Sequence, residues 1–256
     1  MRTWTRVRGG DVEEVRGEVV REQPLTIWVN GARFLTLLCS PMKLEALVIG
    51  YLWMEKVILG LDDIMRLEVS AVDGRADVTL REPVELPTER ILTSGCGGGI
   101  TFRIDHRLFP RLRSSVRVRP EQLEAGMREL YQAATHYRAS RGIHGAALHD
   151  GASLLVVAED VGRHNAVDKV KGEALQLGIE TADRILLSTG RISSEMLLKA
   201  ARMGVPVVAS RTSPTEMAVG LGEQLGITVC GYVRGGAVNV YTGDAVTLAS
   251  HSTPAR

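Results

Sequence analysis

The chain has 256 residues, 45% of them hydrophobic and 4% aromatic, with 27 glycines; this is long for one domain, comfortable for two, and suits turn-rich α/β packing. A formal net charge of +1 gives no global argument for nucleic acid or a membrane surface. The opening MRTWTRVRGGD lacks an apolar signal stretch and no run of about 18 apolar residues follows, so a cytoplasmic protein is expected.

Residues 11 to 38 alternate, and Asn30-Gly31 between Leu25–Val29 and Arg33–Leu38 is a strong hairpin signal. Ser40-Pro41 predicts a helix opening, with serine as N-cap and proline in the first turn. The helix, Met42 to Val57, is apolar on nearly every face and should be buried. Strands near Ile64–Val72 and Ala76–Leu80 follow, with Asp73-Gly74 as their turn. Pro83 and Pro87 flank a connection to Ser94-Gly95-Cys96-Gly97-Gly98-Gly99.

Four glycines leave the Cys96 sulfur uncovered and open backbone conformations closed to other residues. Successive N–H groups in such a loop can form an anion-binding nest that favours thiolate. The plain alternative is a tight turn with an incidental small side chain. Cys39, Cys96 and Cys230 include no CxxC pair, so neither a disulfide framework nor a zinc knuckle is indicated. Arg103, Arg107, Arg111, Arg113, Arg117 and Arg119 then form either a solvated connector or a cationic wall beside the loop. Residues 1–119 read as a smaller N-terminal α+β domain carrying the Cys96 loop and this connector.

Residues 120–256 read as an α/β domain with helices on both faces of a mixed sheet. A helix is predicted over Glu121–Arg138, then strands Gly145–His149 and Leu154–Glu159 around the turn Asp150-Gly151. Helices His164–Leu177, Ser193–Met203 and Pro214–Leu225 alternate with strands Arg184–Ser188, Val205–Ser210 and Thr228–Tyr232. Ala237–Tyr241 closes the domain. Ser213-Pro214-Thr215-Glu216 reads as a capping box, and Gly178, Gly204 and Gly226 as helix stops.

Four strands of this domain deliver an arginine at or just past their ends: Arg163, Arg191, Arg211 and Arg234. Carboxyl ends of strands line the crevice where open α/β sheets bind ligands. Three of the arginines are expected at helix starts, where free N–H groups favour anions. One such arginine would be a surface ion pair; four argue for a phosphate, carboxylate or other multiply charged ligand. Tyr232-Val233-Arg234-Gly235-Gly236-Ala237 is the candidate for closest contact, with a ring to stack, a guanidinium for phosphate and glycines that let backbone approach. Its alternative is an ordinary β-turn. His164 and His144 are possible proton carriers, with structural hydrogen bonding as the default. Asp168 and Glu195 fall in first helical turns, where negative charge is favourable anyway.

The succession α-β-β-α-β-α-β is similar to the cytidine deaminase architecture. Zinc deaminases carry a His/Cys-x-Glu element on one helix and Pro-Cys-x-x-Cys on the next. Here the helix starts read Arg163-His164-Asn165-Ala166 and Arg191-Ile192-Ser193-Ser194-Glu195-Met196, without the three protein ligands a catalytic zinc needs. No metal site is expected.

Ile91-Leu92-Thr93-Ser94-Gly95-Cys96-Gly97, Gly142–Leu148, Glu159–Lys169, Leu187–Met196 and Ala209–Thr215 together resemble the FdhD family, the formate dehydrogenase accessory sulfurtransferases. The resemblance spans about residues 15 to 245. It implies a sulfur carrier that accepts persulfide sulfur from a cysteine desulfurase. The carrier then passes it to the molybdenum cofactor, Mo-bis(molybdopterin guanine dinucleotide), before that cofactor enters formate dehydrogenase. By match of motif Cys96 takes the persulfide role, and Tyr232–Ala237 maps to the cofactor-binding segment. A homodimer with a cytidine-deaminase-like domain is also implied. Two departures stand out: Gly99 occupies the second position of the family's Cys-x-x-Cys, and Ala237-Val238 stands where Arg-Phe is expected. Cys39 and Cys230, as possible resolving thiols, are expected to be buried in strands. A cofactor chaperone that merely touches its cargo with Cys96 is the rival reading, and a deaminase-like nucleotide hydrolase a weaker one.

Overall fold

The computed structural model describes residues 2–87, 90–92, 100–102 and 109–248. Among them the chain forms a mixed α/β fold with six α-helices. Strands β1 (Arg2–Arg8) and β2 (Asp11–Gly17) make a separate exposed hairpin. Strands β3 (Gln23–Val29), β4 (Ala32–Cys39), β5 (Ile64–Ser70) and β6 (Arg75–Leu80) form a sheet of order β4-β3-β6-β5, with β3 and β6 parallel. Asn30-Gly31 makes the β3–β4 turn with positive φ at both residues, 50° and 79°, as a two-residue hairpin loop requires.

Helix α1 (Leu44–Met54) lies on this sheet with nearly its whole circumference buried, as its apolar composition predicts. Its start differs from expectation. The N-cap is Lys43 with φ 49° and no side-chain cap, and the Ser40 hydroxyl instead accepts the Val161 N–H at 3.0 Å. A tertiary acceptor role has taken the serine away from the helix end.

Short strands β7 (Arg90–Leu92) and β8 (Ile100–Phe102) pair antiparallel. Cys96 lies between them in sequence and outside the described residues. Arg103 and Arg107 lie outside as well. Arg111 donates to the carbonyls of Glu223 and Gln224. Arg117 sits 3.8 Å from Asp244. The described part of the basic stretch is thus a connector strapped along the second sheet.

That sheet has six strands in the order β10-β9-β11-β12-β13-β14: β9 (His144–His149), β10 (Leu154–Asp160), β11 (Ile185–Ser188), β12 (Val207–Ser210), β13 (Thr228–Arg234) and β14 (Ala237–Thr242). Helices α4 (Arg163–Gln176), α5 (Ser194–Arg202) and α6 (Glu216–Leu225) pack on one face around Leu148, Leu186 and Val208. On the opposite face α2 (Pro120–Ala133) packs around Ala147, Leu187 and Ala209. The predicted Glu121–Arg138 helix is two pieces, α2 and α3 (Thr135–Ser140). The break follows from Glu159, whose carboxylate accepts the N–H groups of His136 (3.3 Å) and Tyr137 (2.6 Å), bonds a continuous helix would keep for itself. The predicted cap of α6 also shifts: Thr215, not Ser213, is the N-cap and accepts from Ala218 N–H.

Helix α1 crosses α4 at Gly50 and Gly172. A Cβ on either would fall 1.8 Å from a carbonyl oxygen of the facing helix, Asp168 or Ala46. At this seam Lys169 and Asp160, both wholly buried, pair at 2.6 Å. Asp160 also accepts from Ser40 N–H, Gly162 N–H and Asn165 Nδ2; Lys169 donates to the carbonyls of Ser40 and Glu159. Every ionised atom is answered, which a buried pair needs to offset its desolvation.

Candidate functional site

Strands β11, β12 and β13 are parallel to one another, and β9 runs antiparallel to both β11 and β10. The carboxyl ends of β10, β11, β12 and β13 therefore share one edge, as does the start of β9. Apolar residues keep these strands in register inside the sheet, and chain polarity alone then delivers residues 160–163, 188–191, 210–213 and 232–234 to one rim. The four strand-end arginines are brought to the same side of the molecule.

Their environments differ. Arg163, the first residue of α4, is only 4% exposed. Arg191 is exposed, and Arg211 is half-buried with its guanidinium 5.5 Å from the Tyr131 ring. Neither Arg191 nor Arg211 stands at a helix start, because α5 and α6 begin three and five residues later. Arg234 is exposed and lies 5.6 Å from the ring of Tyr232, itself 37% exposed. Val233 is 1% exposed and belongs to the core against α2, so its side chain is unavailable to a ligand there. Gly235, Gly236 and Ala237 are exposed. Arg234 pairs with Ala237 across Gly235-Gly236, which have φ of 63° and 79°. The turn reading of this segment is correct, and the Gly236 N–H bonds the Glu124 carboxylate at 3.0 Å.

The loops of this rim are internally wired. Gly190 N–H donates to Ser188 Oγ, Ser210 Oγ donates to the Gly190 carbonyl, and Arg211 N–H donates to the Ser188 carbonyl. Thr189 and Gly145 exchange two further bonds. These backbone donors are spent within the loops, and Arg191 and Arg234 are the strand-end arginines whose side chains are exposed.

Beneath the rim lies a buried polar cluster. His164 Nε2 is 3.0 Å from both Ser193 Oγ and Glu195 Oε2. Burial first, then the charges of Lys199 and Arg163, push the His164 pKa down to about 2. A neutral imidazole donating Nε2–H to Glu195 satisfies this geometry. Burial also raises the Glu195 carboxyl. Lys199 holds Asp168 through both carboxylate oxygens, at 2.5 and 2.6 Å. His144, its pKa lowered by burial, approaches Gly190, where a Cβ would sit 3.1 Å from its Nδ1 and 2.9 Å from Arg163 Cβ. The absence of a side chain at Gly190 is what lets these two residues close on the loop.

His164 thus takes a structural hydrogen-bonding position, whereas His144 Nδ1 is buried without a hydrogen-bond partner among the described residues. Glu195 stands in the first turn of α5 and is also the partner of His164. The two helices follow β10 and β11, which are separated by β9 in the sheet, so only the packed fold brings these side chains together. Cys39 and Cys230 are buried as expected, and burial pushes both thiols up to about 12, which makes them poor nucleophiles. Among the described residues no group of three or more His, Cys, Asp or Glu is placed to hold a metal ion, and no helix is long and apolar enough to cross a membrane.

Known proteins are similar to this chain in sequence and in architecture. A protein named sulfur carrier protein FdhD from Bacillus subtilis is 40% identical over 243 residues, covering 93% of each chain. A namesake from Staphylococcus aureus is 38% identical over 243 residues, covering 93% of this chain and 92% of its own. The crystal structure of a protein assigned as a formate dehydrogenase accessory protein, from Desulfotalea psychrophila, superimposes with a TM-score of 0.79 at 28% identity, covering 96% of this chain and 98% of that one. The model of the FdhD/NarQ family matches residues 20–247, and the chain belongs to that family.

Proposed function

We propose that this protein is a sulfur carrier serving formate dehydrogenase, with Cys96 as the atom that carries the sulfur. The observation that supports this most is the chemistry of its three thiols. Cys39 and Cys230 are buried with strongly raised pKa, which leaves Cys96, set among glycines, as the cysteine whose sequence surroundings suit a nucleophile. In this reading the Cys96 thiolate attacks the outer sulfur of a cysteine desulfurase persulfide. The donor S–S bond breaks, a new S–S bond forms on Cys96, and the donor cysteine leaves as thiolate. The protein is then a sulfurtransferase working through Cys96-S-SH. With Gly99 in place of a second cysteine and the other two thiols buried, one sulfur suffices for the relay.

The sulfur's destination in this proposal is the molybdenum cofactor, Mo-bis(molybdopterin guanine dinucleotide), as substrate. Arg191, Arg211 and Arg234 on the strand-end rim suit its phosphates, and the Tyr232 ring beside Arg234 suits a base. Arg163 supports the rim from within. The order of elements in the second half favours a cytidine-deaminase-like scaffold. We propose residues 1–119 and 120–256 as two domains, a cytoplasmic location, and a homodimeric assembly that receives sulfur from the desulfurase and serves formate dehydrogenase.

Mass spectrometry after incubation with a desulfurase and cysteine tests the central step. One added sulfur on the Cys96 peptide, absent in Cys96→Ala, is expected. Restoration of formate dehydrogenase activity by Cys96→Ala in a strain lacking the accessory protein would overturn it and favour a cofactor chaperone.

A further inference from the structure

A second concavity lies away from the strand-end rim, where the chain between β2 and β3 passes the β4–α1 connection and helix α3. It encloses about 540 Å³ and is floored by Val19, Val20, Pro41, Met42, Ala139 and Ile143. That volume falls within the range of small-molecule sites, which pair an apolar lining with a few polar groups. Glu18, Arg21 and His136 supply those groups, and all three residues are exposed. Among the described residues none of these side chains makes a hydrogen bond or ion pair with the protein. The hydroxyls of the lining are already engaged: Ser40 Oγ accepts from Val161 N–H, and Ser140 Oγ donates to the His136 carbonyl.

The walls are preformed. The Ser40 N–H is held by the buried Asp160 carboxylate at 3.0 Å, and the start of α3 is held by Glu159. Across the gap, Val20 packs on Gly142, where a Cβ would come within 2.9 Å of Val20 Cγ2. The backbone of these walls is held before a ligand arrives, and the ordering cost falls on the Glu18 and Arg21 side chains.

We infer that this cavity binds a small zwitterion with an apolar body, of the dipeptide class. A cation at Arg21 matches a carboxylate, an anion at Glu18 matches an ammonium, and the imidazole of His136 can hydrogen-bond either end. The apolar floor takes the side chains between them. A purely anionic ligand would face Glu18 without compensation, and a purely apolar one would strand Arg21 and Glu18. The inference is independent of the sulfur-carrier reading and involves none of its residues.

Isothermal titration of the full chain with L-leucyl-L-leucine tests it, with N-acetyl-L-leucyl-L-leucine amide as the uncharged control. Saturable one-to-one binding of the free dipeptide is expected, weakened about tenfold or more by Arg21→Gln and by blocking both termini, as loss of hydrogen bonds to charged groups implies. Ala139→Trp, at an exposed position, should fill the cavity and abolish binding with the circular dichroism spectrum unchanged. Val19→Trp serves the same purpose from the opposite wall should Ala139→Trp misfold. Absence of saturation by the unaltered protein overturns the inference. So does equal affinity for the blocked dipeptide, or undiminished binding by a folded cavity-filling variant.

Discussion

The seam between α1 and α4 and the strand-end rim are both rich in charge, yet they use it in opposite ways. At the seam Asp160 and Lys169 are wholly buried and paired at 2.6 Å, with backbone groups of Ser40, just after β4, and of Glu159 in β10 completing their hydrogen bonds. At the rim Arg191 and Arg234 stand in solvent, over loops whose backbone groups are bonded to one another. A charge consumed by architecture cannot also recognise a ligand. The same residue types are therefore buried and paired in one place and left exposed to solvent in the other.

The sharpest way to break this contrast is Lys169→Met. It leaves the Asp160 carboxylate buried without its cation, and a loss of about 3–5 kcal/mol in denaturant unfolding is expected. A loss under 1 kcal/mol would mean the seam is solvated. Next comes Gly172→Ala, whose Cβ would meet the Ala46 carbonyl oxygen. Separation of α1 and α4 should cost about 1–3 kcal/mol, read as a lower melting temperature.

The buried cluster under the rim adds a pH dependence. The folded His164 pKa of about 2 lies below the value of about 6.5 for an unfolded histidine. Above pH 6.5 neither state binds that proton. Below it only the unfolded state does, so stability falls as pH drops, by up to about 1.4 kcal/mol per pH unit from this group. Glu195, raised by burial, has the opposite sign and reduces the slope once pH falls through its raised folded pKa. Unfolding between pH 6.5 and 5 should show the decline, and His164→Gln should reduce it, leaving the part that comes from His144 and His149, both also lowered by burial. An equal slope in the variant would assign the effect elsewhere.

The smallest effect on the fold is expected from Arg234→Ala, within about 0.5 kcal/mol because the side chain is exposed. Its affinity for a guanine nucleotide should fall in a titration. Unchanged affinity would remove the hairpin from the proposed cofactor surface and leave Arg191 and Arg211 as the contacts to test.

Local sequence was a good guide where local physics decides. Asn30-Gly31, Asp150-Gly151 and Gly235-Gly236 mark turns because few other pairs tolerate their backbone angles, and the apolar run of α1 announced a buried helix. Apolar neighbours in sequence also predicted that Cys39 and Cys230 are buried. Tertiary structure decided what depends on partners distant in sequence. Ser40 gave up a helix cap to bond Val161, Glu159 split α2 from α3, and Glu195 met His164 across two helices. Each of these polar groups had a local option and a distant one. Burial settled the choice, because a polar group removed from water must take whichever partner the packed chain brings within reach.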